Sequence, residues 1–222
     1  MSTDSRSGMP PEIGLIGPGF TTLRGEGYAE YEEKRSLFIG YAKSVSTETE
    51  AAEFIKSIKA KHYDARHNVS AYLLSRGDIV RYSDDGEPQG SAGLPILECI
   101  RRAGLVDTVV VVTRYFGGIL LGVGGLARAY TKAAAAAIDS AGRVRYEPYA
   151  EISLHCSYSD YQRVAYELSI ARAIVDNIDY AGEVEVKFAL RREEAGEFCA
   201  RLKNILEGRV TPLVTGYRYD FR

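Results

Sequence analysis

Thr108 to Arg114 reads Thr-Val-Val-Val-Val-Thr-Arg, a continuous β-branched run that predicts a strand covered on both faces at the centre of a core. Ahead of it, a strand is expected around Leu37 to Lys43. Thr47 with Glu50 three residues later forms a capping box, and Ala51, Ile55 and Ile58 recur at helical spacing, so an amphipathic helix should run to about Lys61 with Lys56 and Lys59 on its wet face. Asn68 to Leu74 and Ile79 to Tyr82 flank the turn-like Arg76-Gly77-Asp78 and read as a hairpin. Pro95 in a first helical turn and Gly104 just past an end frame a short helix burying Ile96, Leu97 and Ile100. A long helix is expected over Leu126 to Ser140. Its Ala133 to Ala137 run leaves little side chain, which suits close packing on a sheet, with Arg128, Lys132 and the positions from Ala135 to Asp139 toward solvent.

Gly142 to Pro148 is charged and turn-rich, and the pattern restarts after it. Strands at Ala150 to His155, Ala173 to Tyr180, Glu183 to Leu190 and Val210 to Phe221 alternate with helices at Asp160 to Ala171 and Glu193 to Leu206. That order is βαββαβ, the ferredoxin-like arrangement. The expected organisation is a polar tail and extended lead-in over 1–27, an N-terminal domain over 28–145 and a C-terminal domain over 149–222, in an α+β fold. The first residues, to about Ser7, are expected to be mobile.

Composition narrows the function classes. No run approaches the roughly 18 apolar residues of a membrane span, and the N-terminus has no signal-peptide core, so a cytoplasmic protein is expected. Cys99, Cys156 and Cys199 are odd in number, far apart and without a CxxC spacing, which points to reduced thiols and away from a zinc site or disulfide framework. The formal net charge is −2, with 18 Lys and Arg against 18 Asp and Glu in residues 1–148 and 10 against 12 in 149–222. Neither half is a basic domain, so nucleic-acid contact would need a local patch. His62 and His67 suit a helix end and a strand start, and no nucleophile, base and orienter assemble from spacing.

Two loops carry the candidate chemistry. Arg114, Tyr115 and Phe116 lead into Gly117, Gly118, Gly122, Gly124 and Gly125, five glycines in nine positions between strand and helix. Glycine admits close approach to the backbone, and a helix N-terminus offers free N–H groups and a positive dipole end, so an anion or a macromolecular partner is the natural ligand. No Gly-Lys-[Ser/Thr] follows, which excludes a P-loop, and the glycine stretch is too long for the tight turn of a dinucleotide fold. The bland alternative is close helix-to-strand packing. The second loop, Asp84-Asp85-Gly86-Glu87-Pro88-Gln89-Gly90-Ser91-Ala92-Gly93, offers three carboxylates for Mg²⁺, for a basic partner, or for an ordinary acidic turn. If it faces the glycine loop, Asp84, Asp85 or Glu87 can hold Arg114.

Tyr82 to Tyr130, containing DDGEPQGSAGLPIL and VVVVTRYFGGILLGVGGLARAY, resembles the IMPACT/YigZ family, and the resemblance extends over residues 34 to 140 with SLFIGYA and DARHNVSAY. It implies an N-terminal domain similar to the second domain of ribosomal protein S5 and to domain IV of elongation factor G. The tail half is similar to domain V of that factor, a small ferredoxin-like domain. Eukaryotic relatives regulate translation through a ribosome-associated activator of an initiation-factor kinase. For a chain of the bacterial type the resemblance implies a non-enzymatic, translation-associated protein whose partner is RNA, the ribosome or a translation factor, with neither DNA nor membrane and no cofactor or metal. The binding residues expected are Asp84, Asp85, Glu87, Arg114, Tyr115, Phe116, Gly117, Gly118, Gly122, Gly124, Gly125, Arg128 and Lys132. Leu120 and Leu37 stand where the family usually carries lysine, which removes two cations that would favour RNA. The alternative is a phosphotransferase-like enzyme of nucleotide or phosphate ligands using the same loops, with Asp85 or Glu87 on Mg²⁺.

Overall fold

The computed structural model describes residues 17–74 and 78–221. Strands β1 (Phe20–Leu23), β2 (Gly27–Glu33) and β3 (Ser36–Ser44) lead to helix α1 (Glu48–Lys61). They are followed by β4 (His67–Leu74), β5 (Ile79–Ser83), α2 (Gly93–Arg102), β6 (Thr108–Tyr115) and α3 (Gly122–Ala141). Then come β7 (Arg143–Cys156), α4 (Tyr158–Ile170), β8 (Ile174–Tyr180), β9 (Val184–Arg191), α5 (Arg192–Ile205) and β10 (Leu213–Asp220). Among the described residues two compact units result, one spanning Phe20–Arg145 and the other built on 146–221 with 17–19.

The first unit is an antiparallel sheet in the order β2-β3-β6-β4-β5. Its central strand is the valine run, and the side-chain alternation of a strand divides that run between two cores. Val109 and Val111 pack with Ile39, Tyr41 and Leu74 against Ala51 and Ile58 of α1, while Val110 and Val112 pack with Phe38 and Ala42 against Ile96, Ile100, Tyr130 and Ala133 of α2 and α3. The strand is therefore buried on both faces, as its sequence predicts. The α3 backbone approaches β3 so closely that a Cβ on Gly40 would stand 2.5 Å from the Ala133 carbonyl oxygen. Small residues on both sides permit this contact, and they set where the start of α3 emerges.

The second unit has the antiparallel order β10-β7-β9-β8. Ile152, Leu154, Val186 and Phe188 of its sheet pack with Val164, Leu168, Phe198 and Leu202 of α4 and α5. This is the ferredoxin-like order expected for βαββαβ. The mixed α+β class stands in both units.

Several boundaries differ from expectation. Helix α3 begins at Gly122, four residues before Leu126, so three glycines of the loop lie in its first turn. Ala137 and Ile138, expected toward solvent, are buried, because α3 has the sheet on one side and α2 on another. In the turn-rich region from Gly142 to Pro148, Gly142 turns at φ 68° and the rest belongs to β7, which begins at Arg143. The lead-in to Gly27 holds β1, and β2 begins at its last residue, ahead of the first strand expected around Leu37. Strand β2 reads Gly-Tyr-Ala-Glu-Tyr-Glu-Glu, an alternation that its charged residues obscure on an edge strand. The N-terminal tail and the Arg76-Gly77 part of the hairpin turn lie outside the described residues.

Candidate functional site

Register places both candidate loops at one end of the first sheet. Leu37 pairs with Tyr115, His67 with Arg114 and Ser70 with Ser83, so the β2–β3 turn, the start of β4 and the loops after β5 and β6 converge there.

In the acidic loop every carboxylate is engaged. Asp84 accepts the backbone N–H groups of Gly90 (2.8 Å), Ala92 (3.1 Å) and Gly93 (2.8 Å), capping α2, whose own N-cap residue Ala92 has no side chain able to do so. Asp85, at φ 45°, accepts the Asn68 N–H at 2.7 Å and pairs with Lys59 at 2.8 Å. Its backbone carbonyl lies 2.8 Å from His67 Nδ1, which must therefore carry the proton. Glu87 Oε1 accepts from Arg114 Nη1 at 2.6 Å and from the Tyr130 hydroxyl at 2.8 Å. The side chains of this ion pair are 7% exposed for Arg114 and 4% for Glu87. Of the three carboxylates that could face Arg114, Glu87 is the one that holds it. Burial, and then the Glu87 charge, push the Tyr130 phenol far above its ordinary range, so it stays a donor.

Arg114 joins the two loops. Its guanidinium lies between the rings of Phe38 and Phe116, 5.5 Å from each centroid. Nη2 reaches Ser36 Oγ at 3.5 Å, and the same oxygen accepts the Gly117 N–H at 3.1 Å. Its Nε is buried without a partner. Gly117 is where close approach demands glycine, since a Cβ there would fall 2.0 Å from the Arg35 carbonyl. Tyr115 turns to the opposite face. Its hydroxyl donates to Asp64 at 2.9 Å and so accepts the proton on His62 Nδ1 at 3.0 Å, leaving His62 Nε2 to accept from Tyr41 at 2.7 Å. Burial first, and Lys61 second, hold the His62 pKa below the ordinary imidazole value.

The glycine loop beyond this anchor faces outward. Phe116 is 46% exposed, Leu120 84% and Val123 61%, with Gly118 and Gly124 beside them. Leu121 at the α3 N-cap provides no side-chain cap, and the first turn, which holds Gly122 and Gly125, has no acid. Arg128 and Lys132 stand exposed along α3, the latter donating to the Tyr31 hydroxyl at 3.1 Å. Asp84, Asp85, Glu87, Arg114, Phe116 and Gly117 are thus brought together, while Arg128 and Lys132 sit outside the buried cluster. Among the described residues no group of three His, Cys, Asp or Glu is placed to hold a metal ion.

Sequence reasoning missed Ser36, Tyr130 and the Lys34-Arg35 pair. Lys34 and Arg35 occupy φ 47° and 66°, the positive-φ geometry of a two-residue hairpin turn that ordinarily takes Asn-Gly. The two-residue gap between alternating runs was the signal available for them. Nothing local marked Ser36 or Tyr130, whose partners are 78 and 43 residues away.

A model of the Impact N-terminal domain matches residues 34–138, and a domain of unknown function, DUF1949, matches residues 154–209. The chain is 37% identical over 191 residues to IMPACT family member YvyE of Bacillus subtilis (strain 168), covering 86% of this chain and 88% of that one. It is 34% identical over 180 residues to IMPACT family member YigZ of Escherichia coli (strain K12), covering 80% and 88%. A solved structure described as the crystal structure of an hypothetical protein matches with a TM-score of 0.58 at 31% identity, covering 90% of this chain and 98% of that chain.

Proposed function

This chain belongs to the IMPACT family, and from that premise we propose that it is a non-enzymatic binding protein of the translation machinery, contacting RNA, the ribosome or a translation factor through the loop from Phe116 to Gly125. The carrying observation is a division of labour among the loop residues. Asp84, Asp85, Glu87 and Arg114 satisfy one another, the backbone and neighbouring side chains, while Phe116, Leu120, Val123 and the start of α3 face solvent. Groups held in internal pairs build a rigid platform; the exposed apolar side chains and uncapped amides are what a partner meets. The resemblance to elongation-factor domains supplies the translation context, and work beside the ribosome would place the protein in the cytoplasm. No helix among the described residues is long and apolar enough to cross a membrane.

Co-sedimentation with purified ribosomes over a salt series tests this reading. The protein should pellet at low salt and be released as salt rises, and Arg128→Ala with Lys132→Ala should flatten that dependence. No pelleting at any salt would remove the proposal. The phosphotransferase-like alternative needs Asp85 or Glu87 free for Mg²⁺, whereas Asp85 already holds Asn68 and Lys59 and Glu87 holds Arg114 and Tyr130. A thermal-shift screen with Mg²⁺ and nucleotides is therefore expected to show no stabilisation. A ligand at 100 times its Kd would add about 2.7 kcal/mol, and such a shift would favour the enzyme.

A further inference from the structure

The exposed tip of the glycine loop is apolar at its centre and cationic at its rim. Phe116 and Ile119 are 46% and 40% exposed, and Leu120 and Val123 still more so, four exposed apolar side chains within positions 116–123. On one side stands the Lys34-Arg35 turn, whose backbone touches Gly117, and on the other stand Arg128 and Lys132, one turn apart on α3. All four cations are exposed, and none of the ion pairs among the described residues involves them. Of the nearby carboxylates, Asp85 pairs with Lys59 and Glu87 with Arg114, Asp84 is turned to the backbone N–H groups at the start of α2, and Glu33, which accepts the Tyr31 hydroxyl, keeps its charge near Lys132. Glu32 shares the face of its register partner Leu37, the α1 side of the sheet. A chain of net charge −2 thus gathers four cations around one apolar tip, offset in part by Glu33 near Lys132.

Resting on the binding role proposed for this surface, the geometry points to its partner: an acidic protein segment that also presents apolar side chains. A phosphodiester backbone would neutralise the rim but leave Ile119, Leu120 and Val123 against phosphate and water, with no gain from their burial. An acidic segment with apolar residues satisfies both parts, seating its apolar groups on the loop and its carboxylates on Lys34, Arg35, Arg128 and Lys132. That is the usual anatomy of a protein interface, an apolar core within a polar rim. Charge complementarity also speeds encounter and makes it salt-dependent.

The test is fluorescence anisotropy of a short labelled peptide of Leu and Glu at helical spacing. A peptide with Lys in place of Glu and an RNA duplex serve as comparisons. Two variants separate the parts of the surface. Leu120→Ser with Val123→Ser removes the apolar centre. Lys34→Asn with Arg35→Gly removes two charges while giving the turn the residues it prefers, so loss of binding cannot be ascribed to misfolding. The expected result is saturable, salt-sensitive binding of the Leu/Glu peptide, weakened about tenfold by either double variant. Absence of that binding, equal or tighter binding of the Lys peptide or the RNA, or variants within about twofold of the parent would overturn the inference. Peptide binding is read without ribosomes. A protein that pellets with ribosomes yet ignores the peptide keeps the broader role and loses this partner, and the converse result does the reverse.

Discussion

Glu87 and Arg114 form an ion pair almost wholly out of water, and its worth depends on the contacts that surround it, since Arg114 Nε has no partner. Glu87 serves Arg114 and Tyr130 through one oxygen, and Arg114 is further stacked between Phe38 and Phe116 and tied to Ser36. Removing one member leaves the other charged and buried, so Glu87→Gln should lower stability by about 3–5 kcal/mol in urea unfolding. Glu87→Gln combined with Arg114→Met should recover much of that loss, and a double variant no better than the single one would contradict this account. His62 makes a different, pH-dependent contribution. Its pKa is depressed in the fold, by burial first and by Lys61 second, so the unfolded chain takes up the proton before the folded one. Stability should therefore be full above about pH 6.5, fall as pH drops below that value, and level off beneath the folded pKa. His62→Gln should remove that part of the pH slope in unfolding titrations.

Helix α3 carries the exposed loop, and its height above the sheet depends on residues without side chains. At Gly40 a Cβ would stand 2.5 Å from the Ala133 carbonyl oxygen, a backbone atom that cannot swing aside. Gly40→Val should therefore destabilise by about 3 kcal/mol or more and perturb the loop, whereas Ala136→Ser on the wet side of α3 should stay within about 0.5 kcal/mol. Thermal unfolding of the two variants makes the comparison. The alanine run was legible as a surface for close packing, but its wet side was misjudged beyond Ala136. A helix flanked by both a sheet and α2 buries a wider arc than a helix on a sheet alone, and periodicity does not reveal the second neighbour. The start of α3 also lies earlier than expected, because glycine lowers helix propensity and yet Gly122, Gly124 and Gly125 occupy the first turn.

At the scale of the whole chain, the buried clusters keep to their own units: two flank the β2-β3-β6-β4-β5 sheet and the third lies in the ferredoxin-like half. A fragment of residues 20–145 should consequently fold alone, melt cooperatively and retain the Leu/Glu peptide affinity of the full chain. A fragment without a cooperative transition would show that the units depend on each other. The sequence by itself determined the elements with strong local signals: the doubly buried valine strand, the Thr47 capping box, the βαββαβ order and the two loops that carry the family resemblance. It also offered Asp84, Asp85 and Glu87 as acids that could hold Arg114 if the two loops faced one another. Which acid met it, that Asp84 would cap α2, that Ser36 and Tyr130 would complete the anchor and that Lys34 and Arg35 would stand beside the glycine tip were decided only by tertiary structure. Those contacts join residues from 6 to 81 positions apart, through sheet register and the close approach of α3. Local pattern reports which conformation a segment prefers; the partner of a buried polar atom is fixed by how the segments come together.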